Sequence, residues 1–181
     1  MIIDPERETP SRVYATMIRA ITPRPIAWVS TLSPGGQTNL APFSSFSGVC
    51  SQPAALTISP VNRPDGTKKD TIRNIEANGQ FVVNVVPYRL AAAMFETSHE
   101  FEYEESELDA VGLTAKSSQR VAVPGVAESP IQFECEVIQI VRIGEGPVAA
   151  NLVIVWPKLG LSAGFRRQWA DAVVAIGSDG D

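Results

Sequence analysis

A polar turn between two apolar runs near the N-terminus is the sequence feature that most restricts the fold. Residues 26–33 read IAWVSTLS, residues 40–50 read LAPFSSFSGVC, and PGGQTN between them carries the glycines typical of a hairpin turn. Two strands joined by so short a connection run antiparallel. The segment therefore predicts antiparallel β structure rather than alternating parallel strands and helices.

Four further apolar runs predict strands, which makes six in all. They read AALTISPV, QFVVNVVP, SPIQFECEVIQIVRIG and NLVIVW. Short helices are predicted for TPSRVYATMIRAI, TIRNIEANG and YRLAAAMFETS, the second capped by Asp70 or Thr71 and ended by Gly79. No Pro-rich or Gly-rich linker divides the chain, so residues 1–181 are expected to form one mainly β domain, a small barrel with short peripheral helices.

The second predicted strand is unusually rich in hydroxyl groups. Four serines, at positions 44, 45, 47 and 51, stand among Phe43, Phe46 and Val49. Because side chains alternate along a strand, these hydroxyls point to both faces. They either lie on an edge strand and bond to water or backbone, or they surround a flat ligand rich in nitrogen and oxygen atoms. The strand alone leaves both interpretations open.

A basic loop precedes the second predicted helix. Residues 66–75 read GTKKDTIRNI and bring Lys68, Lys69, Thr71 and Arg73 to a helix N-terminus, where free N–H groups and the helix dipole favour an anion such as phosphate. A solvated, capped helix start is the alternative. A ring-binding strand and a phosphate-binding loop in one small barrel together indicate a flavin nucleotide.

These motifs, in this order, resemble the flavin reductase-like, FMN-binding split-barrel family. The resemblance rests on TPRPIAWVST, NLAPFSSFSGV, PAALTIS, KDTIRNIEANGQFVVNVV and AESPIQFECEVIQIVRIG, and it covers about residues 13–154. It implies a six-stranded antiparallel Greek-key split barrel that forms a homodimer with FMN near the subunit interface. The cofactor-binding residues that it implies are Arg24, Thr31, Asn39, Ser45, Phe46, Ser47, Lys69, Asp70 and Thr71, the last three at the phosphate end.

The resemblance implies an FMN-dependent oxidoreductase of the flavin reductase type, with NAD(P)H as a candidate donor and a flavin-dependent enzyme as a candidate partner. Related reductases carry a Gly-Asp-His sequence where this chain reads RIGEGPVAANLVI. The single histidine, His99, begins the acidic surface segment HEFEYEESELDAVGLT, residues 99–114. No catalytic residue is therefore assigned. A non-catalytic flavin carrier or redox-responsive module is the alternative function.

Composition narrows the partners and the compartment. A net charge of −5 and a pI near 5.0 argue against binding to nucleic acid or to anionic lipid. No apolar run reaches the length of about 18 residues that spans a bilayer. Cys50 and Cys135 stand far apart without metal-ligand spacing, which predicts reduced, buried thiols in a cytoplasmic protein.

Two further predictions concern single elements. Trp28 alternates with polar residues and is expected in the barrel core. The tail after Ile154 departs from the family pattern, because Pro157 confines any continuing strand to a sheet edge. Residues after about 157 are accordingly expected to contribute little to flavin binding.

Overall fold

The computed structural model describes residues 4–161, and antiparallel strands dominate this region. The strands are β1 (Ala27–Leu32), β2 (Thr38–Phe43), β3 (Phe46–Ser51), β4 (Ala54–Ile58), β5 (Gln80–Asn84), β6 (Ala115–Lys116), β7 (Gly125–Val126), β8 (Ile131–Ile143) and β9 (Ala150–Leu161). The α-helices are α1 (Pro10–Ala20), α2 (Asp70–Asn78), α3 (Ala91–Glu96) and α4 (Glu107–Ala110). None of these helices combines the length and the hydropathy needed to cross a membrane.

Seven strands, not the predicted six, form the main sheet, in the order β2-β1-β5-β8-β9-β4-β3; β6 and β7 form a separate pair. The additional strand arises because residues 40–50, predicted as one strand, divide at Ser44 and Ser45 between β2 and β3. β2 and β3 stand at opposite ends of the sheet order although only two residues join them, so the sheet must curve until its ends meet. Within residues 4–161 no ladder joins these two strands, which is the arrangement of a split barrel.

The barrel interior is filled by one face of each long strand. Its buried residues are Ala27, Val29, Phe43, Ile58, Phe81, Val83, Cys135, Val153 and Val155, together with Ile72 and Ile75 of α2. The helix therefore contributes its apolar face to the barrel core and leaves its N-terminus at the barrel rim. Gly79 ends α2 in the left-handed conformation with φ 69°, as the sequence predicts.

Trp28 is fully buried, but the prediction that it lies in the barrel core is wrong, because its side chain is on the outer face of β1. It packs with Leu40, Leu108 and Val126 in a second cluster that α3 and α4 help to cover. Its indole Nε1 donates to Thr97 Oγ1 at 2.9 Å. The sheet is thus buried on both faces at β1 and β2. This packing holds β2, which contributes Asn39 to the candidate site, in a fixed position.

β9 continues seven residues past Ile154. It pairs with β4 only as far as Val155, and from Trp156 onward β8 is its sole partner, with Pro157 opposite Cys135. Pro157 therefore lies where β9 has become an edge strand, as its missing N–H requires. The prediction for the tail mostly concerns residues 162–181, which lie outside the described residues.

Candidate functional site

The loop before α2 is held in a defined shape by its own side chains. Asp65 Oδ1 accepts from the backbone N–H of Thr67 at 2.8 Å and from its hydroxyl at 2.7 Å. Arg63 donates to the carbonyl of Lys68 at 2.9 Å and forms an ion pair with Asp70. The loop therefore presents the start of α2 in a fixed orientation.

No side chain of residues 4–161 caps the N-terminus of α2. Lys69 occupies the cap position with extended backbone angles and makes no capping hydrogen bond. The predicted caps are wrong: the Asp70 carboxylate pairs with Arg63 and with Arg73, the latter at 2.9 Å. The hydroxyl of Thr71 accepts from Asn39 Nδ2 at 3.4 Å. The first-turn N–H groups of a nine-residue helix are thus free of any side-chain acceptor from residues 4–161.

Lys69 is a half-buried cation without an anionic partner among residues 4–161. Within the described region no carboxylate lies at ion-pair distance from its ammonium group, which instead stands 5.7 Å from the centroid of the Phe43 ring. Burial lowers the pKa of Lys69, the nearby Arg63 lowers it further, and Glu100 opposes both. A desolvated charge of this kind is unfavourable unless an anion joins it.

A cleft of about 420 Å³ opens at this helix start. We call it the first cleft. It is lined by Asn39, Ala41, Pro42, Val61, Asn62, Arg63, Pro64, Lys69, Asp70, Thr71, Thr97, Ser98, His99, Glu100, Phe101 and Glu107. One wall is the loop and helix start with Lys69, and the other is the acidic segment that the sequence placed on the surface.

The acidic wall is attached to the barrel at two points. Tyr103 donates its hydroxyl to Asn74 Oδ1 at 2.9 Å, and its ring lies 4.0 Å from the guanidinium carbon of Arg73. Glu107, only 8% exposed, accepts from the backbone N–H of Leu40 at 2.9 Å. Burial raises the pKa of Glu107, and the hydrogen bond from Leu40 counteracts part of that rise. Glu107 is therefore a carboxylate held in place rather than a mobile surface charge.

A second cleft of about 400 Å³ lies between α1 and the barrel. Its lining is largely apolar and includes Val13, Tyr14 and Met17 of α1, with the hydroxyl residues Ser45 and Ser59 on the barrel side. Val61 lines both clefts, so the two adjoin there. Together they offer an anion-binding end and an apolar end.

The structure brings together five of the nine residues predicted to bind the cofactor. Asn39, Lys69, Asp70 and Thr71 line the first cleft and Ser45 lines the second.

The other four predicted residues line neither cleft. Thr31 is fully buried behind the first cleft, where its hydroxyl accepts from Asn74 Nδ2 at 3.0 Å. Phe46 packs against the barrel core. Ser47 is exposed on the edge strand β3 and donates to the Gly48 carbonyl at 2.9 Å, as in the edge-strand interpretation. Arg24 donates to the carbonyls of Ile18 and Ile21 at the end of α1.

Sequence reasoning missed the residues that the acidic segment contributes. Phe101 and Glu107 stand in a run dominated by charge, which is typical of a solvated surface. The apolar Leu108, buried in the second core cluster, is a signal that this run returns to the barrel. His99, with its side chain 57% exposed, lines the cleft, and its Nδ1 lies 3.5 Å from Glu96 Oε2.

Cys50 is exposed, contrary to prediction, whereas Cys135 is buried.

Solved structures share this architecture. Nitrilotriacetate monooxygenase component B from Bacillus cereus is 32% identical, with a TM-score of 0.84 over 90% of this chain and 82% of that one. The 2-nitrobenzoate 2-nitroreductase of Pseudomonas fluorescens is 29% identical, with a TM-score of 0.79 over 90% and 77%. A flavin reductase with a split-barrel domain from Shewanella frigidimarina, 22% identical over 90% and 81% with a TM-score of 0.74, shares the fold.

The sequence agrees with the structural similarity. The model of the flavin reductase like domain matches residues 18–159, which covers both walls of the first cleft and the strands from β1 to β9 except the last two residues of β9. This match and the shared split barrel confirm the resemblance drawn from the motifs. The chain belongs to the flavin reductase like domain family.

Proposed function

We propose that this protein binds FMN across the two adjoining clefts and acts as a flavin reductase-like oxidoreductase. Electrons from NAD(P)H or another donor pass through the flavin to an acceptor or a partner enzyme. The observation that carries the proposal is the half-buried ammonium of Lys69, without a partner in residues 4–161, beside an uncapped helix N-terminus. The family supports flavin-related oxidoreduction, and this feature supports the mononucleotide.

The phosphate of FMN fits the first cleft on electrostatic grounds. The N–H groups of Asp70 and Thr71, which donate to no acceptor within residues 4–161, and the positive end of the α2 dipole favour an anion beside Lys69. Charge-assisted hydrogen bonds to phosphate are shorter and stronger than neutral ones. Asp70 does not oppose this binding strongly, because Arg63 and Arg73 both pair with its carboxylate.

The isoalloxazine ring fits the second cleft by its chemistry. The ring is flat and apolar on its faces, and its rim carries nitrogen and oxygen atoms that need hydrogen-bond partners. Tyr14 and Met17 offer apolar contact, while Ser45 and Ser59 offer hydroxyls from the barrel. Val61 lies between the two clefts, where a ribityl chain would pass.

The protein's own part in the reaction is to bind and orient the flavin. FMN, when bound, supplies the redox chemistry, so the residues of the clefts need not include a nucleophile or a general base. The absence of the Gly-Asp-His sequence in RIGEGPVAANLVI favours one second candidate, a flavin carrier that is reduced by another protein.

We also propose that the protein is a homodimer in the cytoplasm. β3 is an edge strand whose residues from Ser47 to Ser51 are all exposed, and Val49 on it is 58% exposed. Trp156 on β9 is 48% exposed. An edge strand offers unpaired backbone groups to a partner, and exposed apolar side chains such as Val49 and Trp156 add area for that partner to cover. A mass near 19.5 kDa by light scattering at micromolar concentration would contradict the dimer.

Flavin titration followed by anaerobic stopped-flow reduction tests the function. We expect saturable binding of FMN and rapid bleaching of the flavin absorbance with NADH or NADPH. Binding without bleaching by either nucleotide supports the carrier, and no binding of FMN overturns the proposal.

A further inference from the structure

The first cleft carries opposite charges on its two walls. On the α2 side stands Lys69, and on the facing segment stand the carboxylates of Glu100 and Glu107. Glu100 is exposed and close enough to Lys69 to influence its ionisation. Glu107 is buried and fixed to the backbone of Leu40. An anion held at Lys69 therefore has the carboxylates of Glu100 and Glu107 nearby, besides that of Asp70, which Arg63 and Arg73 pair.

The positive charge available to a ligand in the first cleft is small. Of the two Lys or Arg side chains that line it among the described residues, Arg63 is already bound to Asp70 and to the Lys68 carbonyl. Lys69 and the backbone N–H groups of Asp70 and Thr71, which donate to no acceptor within residues 4–161, remain for the ligand. This set matches one phosphate group and leaves a second one without a counter-charge.

We infer that the acidic wall selects a flavin mononucleotide over the dinucleotide, with Glu100 and Glu107 as the specificity-determining residues. The inference rests on the proposed function, since it concerns which flavin the same cleft accepts. FMN carries its charge on one terminal phosphate, which the α2 N-terminus and Lys69 can neutralise. FAD carries a second phosphate and an adenosine beyond the first.

The second phosphate of FAD lies beside the carboxylates of Glu100 and Glu107, or the adenosine attached to it leaves the cleft past them. Like charges a few ångströms apart in a partly desolvated cleft repel each other substantially. Glu107 cannot swing away without leaving the Leu40 N–H unpaired, and because burial raises its pKa it repels a phosphate only in its ionised form, above that raised pKa. Glu100 is exposed and less constrained, so we expect the smaller contribution from it.

Dissociation constants of FMN and FAD, measured for the full chain and three variants, test the inference. We expect the parent to bind FMN at least about tenfold more tightly than FAD, and Glu100→Gln with Glu107→Gln to reduce that ratio by roughly fivefold or more. The amide introduced by Glu107→Gln keeps a carbonyl oxygen that can accept from Leu40. Glu104→Gln is the matched control, because Glu104 is exposed on the same segment and does not line the cleft.

The outcomes separate the inference from the function on which it rests. A parent that binds FAD as tightly as FMN overturns the selection, and so does a ratio that the double variant leaves unchanged or that Glu104→Gln reduces equally. In all three cases flavin binding itself stands. Should the double variant fold poorly, Glu100→Gln alone must still lower the ratio. Failure of the parent to bind any flavin removes the proposed function and this inference with it.

Discussion

The two adjoining clefts are constructed in different ways. In the first, buried polar side chains of α2 bond to the barrel strands: Asn74 to Thr31 and Thr71 to Asn39. In the second, the covering helix α1 has no buried residue. A site organised before its ligand arrives loses less conformational entropy on binding. The phosphate end should therefore set the affinity, while the ring end should adapt to the ligand.

Removing the free cation of the first cleft should have the largest effect on binding. Lys69→Ala deletes a charge-assisted contact worth about 1.5 to 3 kcal/mol, so the dissociation constant for FMN should rise roughly ten- to a hundredfold. Isothermal titration or flavin fluorescence measures it. Lys68→Ala is the control, since Lys68 pairs with Glu76 at 2.6 Å and does not line the cleft. Equal dissociation constants for Lys69→Ala and the parent would exclude Lys69 from the site.

Breaking the scaffold behind the first cleft should lower stability. Asn74 is 1% exposed and bonds to both Thr31 and Tyr103, so Asn74→Ala leaves the buried Thr31 hydroxyl unpaired and should cost about 1 to 3 kcal/mol of unfolding free energy. Tyr103→Phe keeps the ring beside Arg73 and loses one hydrogen bond, so it should cost less. Denaturant unfolding compares the two. A smaller loss for Asn74→Ala than for Tyr103→Phe would contradict this account.

Changing the second cleft should affect binding modestly and stability hardly at all. Tyr14→Ala with Met17→Ala removes apolar contact with the ring but no buried residue, so FMN should bind roughly three- to fivefold more weakly. The unfolding free energy should stay within about 0.5 kcal/mol of the parent. Ile21→Ala is the control, an exposed apolar side chain at the end of α1 that lines neither cleft. A loss as large as that of Lys69→Ala would make the ring end dominant.

Local signals explain why the first cleft was partly predictable. The hairpin between β1 and β2, the helix over residues 70–78 and its end at Gly79 all depend on residues close in sequence. Lys69 was therefore placed correctly at a helix start. It was not predictable that no carboxylate of residues 4–161 would pair with Lys69. The neighbouring Asp70 forms an ion pair with Arg63, and this pairing depends on a loop shape that the sequence does not reveal.

Contacts between residues far apart in sequence explain the predictions that were wrong. Ser44 and Ser45 continue an apolar run that looks like one strand, and only the curvature of the whole sheet divides it between β2 and β3. The hydroxyls consequently separate: Ser45 faces the second cleft and Ser47 lies on the exposed edge. The acidic segment returns to the barrel through Tyr103 and Leu108, contacts that charge patterning does not indicate.

The smallest predicted effect is a pH dependence that belongs to the first cleft alone. Burial, aided by Arg63, lowers the pKa of Lys69 in the free protein, and a bound phosphate raises it again. The affinity for FMN is therefore highest at pH values below the lowered pKa of Lys69 in the free protein. It falls as the pH rises from there towards the higher pKa that Lys69 has in the complex. Above about pH 7 the phosphate is already largely in its doubly charged form, so its own ionisation does not oppose this fall.

Lys69→Arg isolates the contribution of Lys69 to this pH dependence. A guanidinium stays charged throughout the neutral and alkaline range, so the variant should lose the decline in FMN affinity that the parent shows as the pH rises through the lowered pKa of Lys69. Any ionisation of the flavin itself affects both proteins alike and cancels in their ratio. The measurement is the FMN dissociation constant of each protein across this range, at constant ionic strength because the contact is screened by salt. Parallel profiles for parent and variant would show that Lys69 does not titrate at the site, and would assign the anion-binding role to the helix N-terminus instead.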